Sequence, residues 1–121
     1  MKSILKVATG LLAMTAVPAQ AGLICEVNTA GPIGVGGDSI LYVQIIGAGI
    51  LGICSMNGTS AGGTTKEACA AWYGAMLSYR AMRARAHFYF DTANPVNAGV
   101  NSCAELGDWR ARTPYFLETI Q

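Results

Sequence analysis

The side chains able to do chemistry in this chain fall into three groups. Cys25, Cys54, Cys69 and Cys103 are the thiols. Arg85, His87 and Tyr89 alternate with apolar residues along one short stretch, and Asp108, Trp109 and Arg110 stand side by side in a long Asn/Gly/Pro-containing segment. No Cys-x-x-Cys pair occurs and His87 is the only histidine. A zinc centre therefore lacks both the usual ligand spacing and a second imidazole, so no metal or other cofactor is expected. An even cysteine count in a short secreted chain points instead to two disulfides. Of the three connectivities, Cys54–Cys69 with Cys25–Cys103 is favoured. The first closes a short loop and ties a strand end to the first turn of a helix; the second ties the start of the domain to the late loop.

Pairing all four cysteines leaves no thiolate nucleophile. A serine triad would have to use His87, no Gly-x-Ser-x-Gly elbow is present, and the carboxylates show no spacing that selects a pair. The chain reads as a binding protein, not an enzyme. Arg85, His87 and Tyr89 share one strand face and suit an anionic group such as a carboxylate or phosphate; the plainer reading is an ordinary polar outward face. Arg80, Arg83 and Arg85 gather where a helix should end, and cations there offset the helix dipole. Capping is their default role, with a sugar carboxylate as the alternative. Trp109 is the best binding candidate, because a sugar offers an apolar C–H face and a polar rim, matching an indole flanked by Asp108 and Arg110. The competing reading packs Trp109 onto the core beside Cys103.

These residues need elements to position them. Leu23 to Asn28 reads as a first strand, Thr29 to Gly37 as a turn region, and Ser39 to Ile46 with Ile50 to Met56 as a hairpin around Gly47-Ala48-Gly49. Thr64-Thr65-Lys66-Glu67 fits a capping box opening a helix from about Thr65 to Arg83. Cys69, Trp72, Tyr73, Met76 and Leu77 form its apolar face. Ala86 to Asp91 is a fourth strand, Thr92 to Arg112 a long loop, and Tyr115 to Ile120 the last strand. The fold class is mainly β with one helix (α+β), in the order β-β-β-α-β-β. That order is the one found in the five-stranded OB-fold barrel.

Composition bounds the rest. The chain is 52% apolar and 12% charged, against about a quarter charged in an ordinary soluble domain. Lys2, Lys6, the apolar run Ala8 to Val17 and the small-x-small site Ala19-Gln20-Ala21 predict a signal peptide over 1–21, cleaved after Ala21. Residues 22–121 then form one domain, secreted or periplasmic, with six basic and seven acidic side chains. A net charge of −1 gives no general attraction to nucleic acid. No later apolar run is long enough to span a membrane. Ser39 to Thr65 carries no charge at all, which predicts either deep burial or cover by another subunit, and cover is favoured.

Cys69-Ala70-Ala71-Trp72-Tyr73, the stretch Arg83-Ala84-Arg85-Ala86-His87-Phe88-Tyr89-Phe90 and Pro114-Tyr115-Phe116 resemble small secreted proteins related to the B subunits of subtilase cytotoxin and typhoid toxin, the pertussis-like toxins. The resemblance implies an OB-fold, assembly as a homo-oligomer and recognition of host glycans beside a separate catalytic subunit. No sugar-binding position carries over from it. The expectation is a secreted, non-enzymatic glycan-binding module. The alternative is a periplasmic protein-interaction or inhibitor module acting through the uncharged hairpin.

Overall fold

A computed structural model describes residues 22–120. The expected signal peptide lies outside the described residues. The described residues are mixed α+β: seven strands in two sheets, one α-helix and two disulfides. Strand β1 (Gly22–Val27) pairs antiparallel with β5 (Arg85–Asp91), which pairs antiparallel with β7 (Pro114–Ile120). The second sheet runs β2 (Ile33–Val35), β3 (Ile40–Gln44), β4 (Ile50–Ser55) and β6 (Arg110–Ala111), with β6 parallel to β4. Five strands in one barrel were expected, so the strand count and the single closed sheet are corrected. Ile33–Val35, inside the Thr29 to Gly37 stretch that the sequence predicts as turn, forms an edge strand on β3. Arg110–Ala111 forms a strand where the sequence predicts loop, because two residues leave no periodic signal.

Alternation along the strands builds the core. Ala86, Phe88 and Phe90 of β5 are fully buried, as are Leu41 and Val43 of β3 and Leu51 and Ile53 of β4. An irregularity between Leu41 and Tyr42 sets Leu41 opposite Cys54 and Tyr42 opposite Gly52, leaving Ile53 as the extra residue. Both Ile53 and Cys54 are then buried, which a regular two-residue period would not allow. Seven residues of the uncharged stretch, at positions 41, 43, 45 and 51–54, are thus buried within the chain, while the loop over 57–65 contributes none.

The helix α1 (Lys66–Met82) begins one residue later than the capping box implies. Thr65 is the N-cap, its side chain accepting from the Ala68 amide at 3.2 Å, so Glu67 falls in the first turn without the reciprocal bond. Cys69 and Met76 are fully buried and Trp72 and Tyr73 pack partly against the core, with the Trp72 ring 5.5 Å from Phe88. Leu77, expected on that face, is exposed. Both favoured disulfides form: Cys54–Cys69 fixes β4 to the first turn of α1, and Cys25–Cys103 ties β1 to the late loop.

Candidate functional site

The long loop after β5 is anchored at several points. Asn94 caps a short 3-10 turn over Pro95–Asn97. Asn97 is fully buried, donating to the carbonyls of Asp91 (3.0 Å) and Thr113 (2.9 Å) and accepting from the Thr113 amide (3.0 Å). Val100 and Leu106 enter the core, Cys103 is disulfide-bonded, and Arg112 donates to the carbonyls of Leu106 and Val96. The loop therefore delivers its last turn to a fixed place.

That turn is clasped to the start of β4. The Trp109 amide donates to the Ile50 carbonyl at 2.6 Å, and the Ile50 amide donates to the Asp108 carboxylate at 2.9 Å. Trp109 adopts φ +56°, in the left-handed region where a bulky residue is rare. Its side chain is 66% exposed, so the core-packed reading of Trp109 does not hold. The indole ring lies 5.6 Å from the Tyr42 ring, and the Tyr42 hydroxyl donates to Asp38 at 2.7 Å. That hydroxyl, with the Ile40 amide beside it, holds the Asp38 carboxyl below the usual carboxylate range, while Asp38 raises the Tyr42 phenol. Trp109, Tyr42, Asp38, Val35, Ile50 and Arg80 share the walls of an open cleft of about 650 Å³. An exposed indole, a second aromatic ring, a carboxylate fixed as acceptor and a guanidinium as donor are the pieces needed to hold a polar molecule with an apolar face.

The six expected site residues divide between two places. Asp108 fastens the turn, Trp109 walls the cleft, and Arg110 is exposed on β6 with its side chain against Gly107. Arg85, His87 and Tyr89 line the outer face of β5 and are already paired with neighbouring strands. Arg85 meets Glu26 through two bonds of 2.9 Å, while the His87 ring and the Tyr89 hydroxyl both reach the Glu118 carboxylate at 2.5 Å. Arg85 holds the Glu26 carboxyl below the usual range; the Tyr89 hydroxyl, then His87, does the same for Glu118. Cross-strand glutamates thus occupy the donors expected to receive an external anion. Asp38, Tyr42 and the β2 edge were missed as cleft residues. Tyr42 had a signal, since it is the one aromatic on the outward phase of a strand whose inward phase is aliphatic. Its meeting with Trp109, far along the chain, had none.

Comparison of the chain with known protein families, characterised proteins and solved structures finds no match.

Proposed function

We propose that residues 22–121 act as a secreted, non-enzymatic module that binds a saccharide in the Trp109 cleft. The observation that carries this is an indole held exposed by its own backbone. A large aromatic side chain loses the benefit of burial when left in water, and here the left-handed turn and the Asp108–Ile50 clasp keep it there. The OB-fold-like reading is supported by the way the sheets adjoin. The Val27–Ile45 bridge, with the Ile46 amide donating to Glu26, links β1 to the end of β3. The continuous segment β6–β7 touches β4 on one side and β5 on the other. Export is supported by the two disulfides, which persist in oxidising compartments, and no helix among the described residues is long and apolar enough to cross a membrane. The likeness to toxin B subunits rests on the residues quoted for it.

A broad glycan array probed with the disulfide-intact protein tests the reading. Binding that falls about fivefold or more in Trp109→Ala is expected, since loss of an aromatic stacking partner removes about 1 kcal/mol or more. A blank array for the folded protein would overturn it.

A second reading, assembly or protein interaction through the β1-β5-β7 sheet, is favoured by a different observation. Ile24, Tyr115 and Phe116 are each about half exposed on β1 and β7, and β7 is an edge strand. A native mass that is a multiple of the chain, reduced to the monomer by Phe116→Glu, is the result this reading expects.

A further inference from the structure

The C-terminal end of α1 borders a second cleft, of about 410 Å³, lined by Thr29, Ala30, Arg80, Arg83, Ala84 and Arg85. Half of the six basic side chains of residues 22–121 meet there, in a segment whose net charge is negative. Arg85 is neutralised by its two bonds to Glu26. Arg80 and Arg83 are exposed and form no ion pair among the described residues. Nor do they cap the helix with their side chains: the closing bonds are backbone ones, from the Arg83 amide to Arg80 and the Ala84 amide to Tyr79, and Thr29 satisfies the Ala84 carbonyl. Arg83 stands at φ +56°, ψ +34°, where glycine is the residue that fits without cost. Like Trp109, it is a bulky side chain held in a left-handed conformation at the wall of a cleft, the kind of strain that concentrates at ligand sites.

We infer that Arg80 and Arg83 form a receptor for a tetrahedral oxyanion, a sulfate or phosphate monoester borne by the saccharide that occupies the Trp109 cleft. The inference rests on the saccharide reading, and Arg80, which lines both clefts, joins the two. A carboxylate offers two oxygens and is satisfied by one guanidinium fork. A monoester offers three terminal oxygens and can accept from two forks at once, which suits two arginines three positions apart at a helix end.

The test uses matched oligosaccharides on one backbone, neutral, uronate-bearing, sulfated and phosphorylated, titrated at constant ionic strength because exposed charge pairs are screened by salt. The sulfated or phosphorylated form should bind about tenfold more tightly than the neutral parent, with the uronate well below it. That ratio should fall to near one in both Arg80→Gln and Arg83→Gly. The glycine variant should also raise the thermal midpoint, because it relieves the left-handed backbone, so a lost preference with gained stability cannot be unfolding. Saccharide binding with no preference for the monoester, or a preference kept in both variants, overturns the inference and leaves the saccharide reading standing. No binding of any oligosaccharide overturns both.

Discussion

Asn97 shows how much of this domain's late loop can rest on a single side chain. Its amide makes three bonds in a place with no access to water, so Asn97→Ala strands the Thr113 carbonyl and amide and leaves the Asp91 carbonyl with the Asn94 amide alone. A loss of about 2–3 kcal/mol is expected in denaturant unfolding. Glu118 carries a pH dependence instead. The Tyr89 hydroxyl and His87 hold its carboxyl below the ordinary range, and Arg85 does the same for Glu26. A carboxyl lowered in the folded state stabilises it above the unfolded value and ceases to do so as pH falls through the folded value. The thermal midpoint should therefore drop on acidification from about pH 5 to about pH 3, and the drop should be shallower in Glu118→Gln. An equal drop in both proteins would show that Glu118 is not the group responsible. The assignment of Arg85, His87 and Tyr89 to one outward face was legible from alternation alone. Their glutamate partners were not, because cross-strand register links residues 31 and 59 positions apart.

At the scale of elements, the two disulfides and the clasp between the hairpin and the late loop govern the site. Cys54–Cys69 closes a span of 15 residues, and replacing both cysteines by serine should cost about 3 kcal/mol on loop-entropy grounds. Urea unfolding of the oxidised double variant measures it directly. Gly49 shows how the hairpin turn serves Trp109. A Cβ there would collide with the Asp108 side chain, so Gly49→Ala must push Asp108 off the Ile50 amide and release the turn that holds the indole. A stability loss of about 1–3 kcal/mol is expected, together with weaker saccharide binding, and an unchanged crystal structure at Asp108 would contradict this. Helix, hairpin and the presence of two disulfides were legible because each has a signature: a 3.6-residue apolar period, an uncharged β-branched run and an even cysteine count, which leaves three pairings open. Strands β2 and β6 were not. They are three and two residues long, and only pairing with β3 and β4 makes them strands.

For the whole molecule, burial inside the chain supplies part of the reason for the shortage of charge. Leu41, Val43, Ile45, Leu51 and Ile53 lie in the uncharged stretch and are fully buried against a core that also holds Phe88 and Phe90, while Tyr115 and Phe116 of β7 stay exposed. Exposed aromatic groups on the β1-β5-β7 sheet and at Trp109 are then the features that folding alone does not use. Saccharide binding at Trp109 is the central claim, and NMR of the folded, disulfide-intact protein tests it most directly. The indole N–H of Trp109 and the ring signals of Tyr42 are followed while saccharides that score on a glycan array are titrated in. Saturable shifts centred on Trp109 and Tyr42, abolished by Trp109→Ala with the fold intact, are the result expected. Saccharide binding that leaves both residues unmoved, or no binding by a folded protein across the array, would contradict the claim.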